Sequence, residues 1–335
     1  MIKLGINGFG RIGRCVFRIA LERADVAVVG INDIADPTAL AYLLKYDTVM
    51  GPLGRDVHLE GNVLRVGDQE TRLSAERDPG ALPWKDLGVD LVVEATGRFK
   101  TRAELERHLD AGAPAVILTV PPADELDATV VLGVNDHVLT GDHRLVSNAS
   151  CTTNCLGPLA KVLHGAFGIH KGLMTTVHAY TNDQRLAEVP DHKDLRRSRA
   201  AALNIIPTTT GAAKAVGKVL PELEGRLDGM AMRVPIPDGS TIDFVCELQS
   251  DVTVDEVNAA VRRAAEGPAR GVLEYCVEPI VSSDVIGNPH SCIFDAELTQ
   301  VTDGRMLRTI SWYDNEWGYS NRVVDLAQKL IALRG

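Results

Sequence analysis

Cys151 lies in the run Ser147-Asn148-Ala149-Ser150-Cys151-Thr152-Thr153-Asn154-Cys155, and a helix-forming stretch, Leu159 to His164, follows it. Small polar residues ahead of that stretch place the thiol in the first turn of a helix. Unpaired backbone N–H groups and the positive end of the helix dipole there favour thiolate over thiol. A free cysteine titrates near ~8.5, and a helix N-terminus together with an imidazolium lowers that to roughly 3.5–7.5. The chemistry this points to is attack on a carbonyl through a covalent thio-intermediate. Of the nine histidines, His178 is the best partner. It closes the apolar-alternating run Thr175-Thr176-Val177 and precedes the loop residues Tyr180-Thr181-Asn182-Asp183. A histidine at a strand end can point into a cleft. His58, His108, His137, His143 and His192 fall in polar stretches and are expected to be solvated.

The second thiol, Cys155, is one helical turn beyond Cys151. A zinc site needs further ligands, which have no suitable spacing nearby, and a disulfide between i and i+4 of one helix is geometrically poor. Cys155 therefore reads as a packed helix residue, and no metal is expected. Two segments carry anion-binding character. Thr208-Thr209-Thr210-Gly211-Ala212-Ala213-Lys214 runs hydroxyls and a glycine into a helix start, the pattern of an anion site as well as of an ordinary capped helix. Arg233 interrupts the apolar strand Met230–Pro235, and a charge in such a strand needs an anion or an acidic partner. The cluster Arg196-Arg197-Ser198-Arg199 reads from spacing alone as a solvated loop.

Gly8-Phe9-Gly10-Arg11-Ile12-Gly13 is a G-x-G-x-x-G that follows the strand Leu4–Asn7 and opens the helix from Ile12. In that context Gly8, Gly10 and Gly13 supply a tight turn, close approach of backbone to a pyrophosphate, and helix-on-strand packing. Asp33 ends the second strand. A carboxylate there accepts from both adenosine ribose hydroxyls and repels a 2′-phosphate, which favours NAD over NADP and leaves dual use open.

These residues need a scaffold. The first half alternates short strands (Leu4–Asn7, Val26–Asn32, Leu91–Glu94, Ala115–Val120, Thr129–Gly133) with helices (Ile12–Glu22, Pro37–Lys45, Arg102–Ala111), the pattern of a parallel sheet covered on both faces. After Cys151 longer alternating strands take over: Gly172–Tyr180, Met230–Pro235, Thr241–Leu248, and Cys292–Val301 joined to Met306–Tyr313 through Asp303-Gly304, a type I′ hairpin signal. Thr253-x-x-Glu256 is a capping box. The fold class expected is α/β: a Rossmann-type NAD-binding domain over residues 1–150 and an α+β catalytic domain with a mainly antiparallel sheet over 151–315. The apolar face of the last helix, 316–335, suits either domain. A length of 335 residues fits two cores. The net charge of −10 argues against nucleic acid as the main partner. No run approaches the ~18 apolar residues of a membrane helix, the N-terminus lacks leader features, and six scattered cysteines do not form a disulfide framework. A cytoplasmic enzyme is expected.

Asn7–Arg14, Leu43–Asp47, Ala95–Gly97, Ser147–Cys155, His192–Arg197, Asn204–Pro207, Thr210–Val216 and Trp312–Tyr319 together resemble the phosphorylating glyceraldehyde-3-phosphate dehydrogenase family, essentially end to end. The resemblance implies oxidation of glyceraldehyde 3-phosphate with NAD on Cys151 and His178, and capture of the acyl group by inorganic phosphate. It implies that Thr181, Arg197 and Arg233 hold the substrate phosphate, and that Ser150, Thr152, Thr210 and Gly211 hold the attacking phosphate. It assigns cofactor contacts to Arg11, Ile12, Asp33, Arg77, Thr119 and Asn315, with Tyr319 near the nicotinamide. It also implies a homotetramer and a last helix returned to the cofactor domain. The segments Val120–Ala123, Leu186–Pro190 and Ile236–Ser240 depart from the commoner family wording. Erythrose-4-phosphate dehydrogenases resemble the chain around Cys151 but differ at Thr210–Val216 and His178–Thr181. A non-catalytic NAD-binding regulator has no need of Cys151, His178, Arg233 and Asp33 together, and a thiol hydrolase has no need of a dinucleotide site.

Overall fold

The structure, a computed structural model, describes every residue except His192 and Lys193; the expectation of a solvated His192 lies outside the described residues. The chain divides into two units, one of Met1–Val130, Asp136–Ser150 and Ser320–Gly335, the other of Val131–Asn135 and Cys151–Tyr319. Among the described residues no helix is long and apolar enough to cross a membrane.

The first unit is built on a nine-stranded sheet. In chain order its elements are β1 (Ile2–Asn7), α1 (Arg11–Ala20), β2 (Val26–Asn32), α2 (Pro37–Lys45), β3 (Val57–Glu60), β4 (Val63–Val66), β5 (Gln69–Ser74), α3 (Trp84–Leu87), β6 (Leu91–Glu94), α4 (Arg102–Asp110), β7 (Val116–Leu118), β8 (Ala128–Thr129) and β9 (Leu145–Ser147). The sheet order is β3-β4-β5-β2-β1-β6-β7-β9-β8. Every pairing is parallel except β3–β4 and β4–β5. The order reverses on either side of β1, so the crevice beyond the carboxyl ends of β1 and β6 is the ligand-binding position of a doubly wound sheet. The strands there are apolar on both faces (Leu4, Ile6, Val92 and Val93 are all buried), as a sheet covered on both sides requires. The β3–β5 meander was not expected, because its short strands alternate exposed and half-buried residues and carry little apolar signal.

The second unit holds a seven-stranded sheet in the order β11-β12-β10-β13-β16-β15-β14. Its elements are α5 (Cys151–Phe167), β10 (Ile169–Ala179), β11 (Ile206–Thr209), α6 (Ala212–Val219), β12 (Leu227–Val234), β13 (Ser240–Leu248), α7 (Val254–Glu266), β14 (Leu273–Cys276), β15 (Cys292–Thr302) and β16 (Met306–Tyr313), before α8 (Trp317–Ala332). The pairs β10–β12 and β14–β15 are parallel and the other four antiparallel. Helices α5, α6 and α7 bury their apolar faces against one side of the sheet, around Leu156, Leu159, Val216, Phe244, Val261 and Phe294. The Thr253–Glu256 capping box opens α7. Asp303 and Gly304 both take positive φ, 50° and 71°, at the β15–β16 turn, as a type I′ hairpin needs.

One expected strand is mostly absent. Of Thr129–Gly133, only Thr129 pairs in the first sheet, together with Ala128 before it. Residues 131–135 group with the second unit, because Val131 and Val134 approach the bare face of α5 at Gly157, 3.4 Å from where a Cβ would stand.

Candidate functional site

In the second unit, Cys151 is the first residue of α5. The chain enters that helix through Ala149, which holds φ at +54°, a left-handed conformation that costs a non-glycine residue about 1 kcal/mol or more. Ala149 is held there by its N–H donating to Ser147 Oγ (3.0 Å), and Ser147 Oγ donates to Val120 O (2.9 Å). Strain fixed in this way beside a nucleophile aims the following side chain. His178, one residue from the end of β10, places Nε2 3.5 Å from Cys151 Sγ. The edge of the Tyr313 ring closes on the imidazole with centroids 5.9 Å apart. The Tyr313 hydroxyl is shared with Thr152 Oγ1 and Thr176 Oγ1, each at 2.9 Å.

Arg233 sets the electrostatics of this pair. Its Nη1 lies 2.6 Å from His178 Nδ1 and donates to Ala179 O (2.9 Å). A guanidinium only donates and a carbonyl only accepts, so Nδ1, which also lies 2.8 Å from Ala179 O, accepts from the one or donates to the other according to the ring tautomer. Burial, with Arg233 next, pushes His178 down to about 3. Burial pushes the Cys151 thiol up, against the pull of Arg233 and Thr152, and Asp238 adds to the rise. In the unliganded chain both shifts run toward the neutral forms, imidazole and thiol. The reason is desolvation of both groups, together with a cation beside the imidazole.

Arg233 also acts on Asp183, as does Arg197, whose Nη2 lies 2.8 Å from the Asp183 carboxylate. Asp183 accepts from the Thr181 hydroxyl as well. Burial raises its carboxyl, but Thr181, Arg197 and Arg233 more than offset this and hold it below the usual range. The three groups singled out for substrate phosphate therefore surround one anion of the protein itself. Gly211 caps α6 with open space where a Cβ would stand, and Thr210 Oγ1 accepts from Ala212 N at 3.2 Å. The Thr152 hydroxyl faces inward to Tyr313, and both it and the Thr152 backbone N–H favour the thiolate of Cys151.

In the first unit the glycine loop divides its work by position. Gly8 holds φ at +93°, and a Cβ there would stand 2.6 Å from Thr96 N. A Cβ on Gly13 would stand 2.1 Å from Gly8 O. A Cβ on Gly10 would meet nothing within 4 Å, so that position is bare for a ligand rather than for packing. Gly10 is also the N-cap of α1 and offers no side-chain bond, which leaves the helix start open to an anion. Asp33 accepts from Phe9 N (2.7 Å) and Ala35 N (3.0 Å), tying the second strand end to the loop while its remaining lone pairs stay open. Thr119 Oγ1 donates to Glu94 O (3.0 Å), Arg11 pairs with Asp47, Ile12 is half-buried in the first turn of α1, and Arg77 is exposed. This donor set and the bare helix start fit a dinucleotide.

Both halves of the chain match known families. Residues 2–102 match the model of the glyceraldehyde 3-phosphate dehydrogenase NAD binding domain, and residues 150–315 that of the C-terminal domain. A glyceraldehyde-3-phosphate dehydrogenase of Geobacillus stearothermophilus is 58% identical over 335 residues, covering 100% of this chain and 99% of the relative. Proteins of the same name from Mycolicibacterium smegmatis (56% identical, 97% of each chain) and Priestia megaterium (57% identical, 99% and 98%) agree. The chain belongs to the glyceraldehyde-3-phosphate dehydrogenase family. Its first domain is accordingly an NAD-binding domain, and its second the family's catalytic domain.

Within this family member, Ser240 beside Asn315 and the burial of His108 escaped sequence reasoning. Asn315 Oδ1 accepts from Ser240 Oγ (2.6 Å), and Ser240 Oγ accepts from Ala179 N (3.1 Å), so Asn315 is tied to the strand end carrying His178. Tyr319 is buried two residues into α8. His108, expected in solvent, is fully buried. Trp84 Nε1 donates to its Nδ1 (3.0 Å), so its Nε2 carries the proton and donates to Glu94 (3.0 Å). The buried Glu94 carboxylate also accepts from Asn7 Nδ2 (2.6 Å) and from the backbone and hydroxyl of Thr96. The polar neighbours of His108 in sequence hid this, because one face of α4 turns inward. His58 and His137 are exposed and His143 is half-buried.

Proposed function

We propose that this protein is an NAD-dependent, phosphorylating glyceraldehyde-3-phosphate dehydrogenase, taking D-glyceraldehyde 3-phosphate, inorganic phosphate and NAD to 1,3-bisphosphoglycerate and NADH. The observation that carries the reading is Cys151 Sγ facing His178 Nε2 at 3.5 Å from the start of α5, in a chain whose relatives bear that name over their full length.

The Cys151 thiol gives up its proton and Sγ attacks the aldehyde carbon, so that a C–S bond forms, the C=O π bond breaks and the thiol proton ends on the former carbonyl oxygen. Backbone N–H of Cys151 at the helix start steadies the oxygen's negative charge. Substrate phosphate on Arg233, Arg197 and Thr181 competes with the imidazole for Arg233 Nη1. With the guanidinium drawn to phosphate, Nδ1 is free to donate to Ala179 O, 2.8 Å away, and Nε2 becomes a base. It then takes the hydroxyl proton as the carbon is oxidised to the thioester. NAD, when bound, supplies the hydride acceptor. When NAD is bound, Asp33 would hold the adenosine ribose and the start of α1 the pyrophosphate, with Arg11, Ile12, Arg77, Thr119, Asn315 and Tyr319 as the further cofactor contacts. Inorganic phosphate, held by Ser150, Thr152, Thr210 and Gly211, displaces Sγ from the acyl carbon, giving the acyl phosphate and the free thiolate.

Six free cysteines support a cytoplasmic location. A homotetramer is supported by the large apolar side chains that the second unit leaves in water, Leu173, Leu195, Leu203 and Ile205 among them. The test of function follows NADH with glyceraldehyde 3-phosphate and NAD, with and without inorganic phosphate. A single-turnover burst without phosphate and sustained turnover with it are expected. Equal steady rates in both conditions point to hydrolysis, as in erythrose-4-phosphate dehydrogenases. No burst, with Cys151 still open to alkylation, points to a binding protein.

A further inference from the structure

Asp238 stands in the turn between β12 and β13, in the segment whose wording departs from the commoner family pattern. It is 2% exposed. Its Oδ1 accepts from Gly239 N (2.8 Å), and its Oδ2, buried, meets no hydrogen-bond donor. The side chain that bonds the Asp238 carboxyl is another carboxyl. Asp314, 1% exposed, lies within hydrogen-bonding reach of it. Asp314 already accepts from three backbone N–H groups: Gly287 on Oδ2 (2.7 Å), and Glu316 and Trp317 on Oδ1 (2.8 and 2.6 Å). Burial raises the Asp314 carboxyl, but its three backbone donors and the Asp238 side chain pull it back down, whereas Asp238 accepts one backbone bond, so a proton shared by the pair resides on Asp238. The turn cannot back away to relieve the contact. Gly239 holds φ at +82° with Ser282 O 2.1 Å from where its Cβ would stand. Two residues along, Ser240 joins Ala179 to Asn315.

We infer that Asp238 is a positioning residue for the reaction: its protonated carboxyl donates to Asp314, and this bond holds the 314–319 segment, with Asn315, in register with the strand end that carries His178. The inference rests on reading Asn315 as a cofactor contact. The titratable groups acting on Asp238 are Asp314 and Glu316 from the segment after β16 and Cys151 from the start of α5. The turn beneath Gly239 adds Asp284, whose carboxylate accepts from Val281 N. No cation is among the strongest influences, and burial and the two neighbouring acids push Asp238 up to about 9. Ionised Asp238 sets two buried like charges against each other. It also raises the Cys151 thiol further. Loss of the proton thus costs both cofactor register and nucleophile.

The test measures NAD affinity by fluorescence from pH 7 to 10 in wild type and Asp238→Asn, each repeated in a Cys151→Ser background so that the thiol drops out. Asparagine keeps a donor toward Asp314 and cannot ionise. Wild type should lose about tenfold in affinity by pH 10, since one pH unit past a titration point leaves about a tenth of the binding-competent form. Asp238→Asn should lose less than about twofold, because its donor does not titrate. Superimposable profiles overturn the inference. Infrared difference spectra of the wild type over the same range must lose a protonated-carboxyl band, and an unchanged band overturns it whether or not the variant folds. Turnover of glyceraldehyde 3-phosphate with superimposable profiles sinks the role of Asp238 alone. A pH-dependent loss that Asp238→Asn removes, in a protein without turnover, sinks the enzymatic reading and leaves the positioning role standing.

Discussion

At the scale of single residues, Arg233 is the group whose removal has the most informative sign. It lowers the thiol and depresses the imidazole. Arg233→Met should therefore raise both titrations. Iodoacetamide alkylation of Cys151, followed against pH in the unliganded protein, should move its midpoint upward by about half a unit or more; an unchanged or lower midpoint shows that the cation does not act on the thiolate. Substrate KM should rise as well. Stability carries two opposite signatures. His178 falls from 6.5 in the free side chain to about 3 when folded. The unfolded chain binds the extra proton between those values, so this contribution is present above the upper value and lost as pH falls toward the lower. Asp238 moves the other way, from 3.8 to about 9. The folded chain then holds the extra proton across that window, and stability is lost as pH rises through it. Thermal melts of Asp238→Asn should match wild type near the bottom of the window and lie above it by about 10 °C or more at pH 8, since about four pH units at about 1.4 kcal/mol each separate the two and about 1 kcal/mol moves Tm by roughly 2–4 °C. Cys151, His178 and Asp33 were legible in the sequence because residue type and immediate neighbours bound the chemistry. Asp238 and His108 were not, because what determines their state is a partner from a distant part of the chain: Asp314 for one, Glu94 and Trp84 for the other.

At the scale of elements, the glycine loop separates packing from binding. Gly10→Ala adds a methyl to open space at an N-cap of ordinary φ, −73°. Its melting temperature should stay within about 1 °C of wild type, while NAD affinity should fall about tenfold or more, because the methyl occupies the approach of the pyrophosphate. Gly13→Ala drives a Cβ to 2.1 Å from Gly8 O and should destabilise the first unit by about 3 kcal/mol or more. Urea denaturation and NAD titration of the two variants check the split; equal loss of stability in both contradicts it. The motif was readable because each of its glycines has a fixed place relative to the strand and helix. The Glu94 network beneath it was not, since α4 shows only Leu105 and His108 as its buried face. That network joins the ends of β1 and β6 and the base of the Thr96 turn against which Gly8 packs. Glu94→Gln would turn an amide N–H toward groups that themselves donate. The expected cost is about 2–4 kcal/mol in the same denaturation assay.

At the scale of the whole molecule, the alternation of strand and helix made the doubly wound sheet legible, and long alternating strands made the second sheet legible as mainly antiparallel. What periodicity could not convey is that short segments change allegiance. Residues 131–135 join the second unit and 320–335 the first, each decided by which neighbour offers a bare or apolar face rather than by its own pattern. The second unit's outer surface raises the remaining question. Leu173 on β10 is 67% exposed, and Leu195, Leu203 and Ile205 beside β11 are 81%, 83% and 64% exposed. The turn carrying Leu195 packs near β11 and the turn carrying Leu203 near β12, so those two side chains lie toward the β11 end of the sheet. Apolar side chains at this density are costly in water and mark a protein interface. A charge at such a surface is tolerated by the lone chain and opposed by a partner, because desolvating an unpaired carboxylate costs several kcal/mol. Leu195→Glu/Leu203→Glu should therefore keep the monomer's circular dichroism and NAD binding while shifting sedimentation from the proposed tetramer to dimer or monomer at micromolar concentration. An unshifted tetramer places the subunit contacts elsewhere. A wild type that sediments as a monomer removes the oligomer from the proposed function and leaves the chemistry at Cys151 intact.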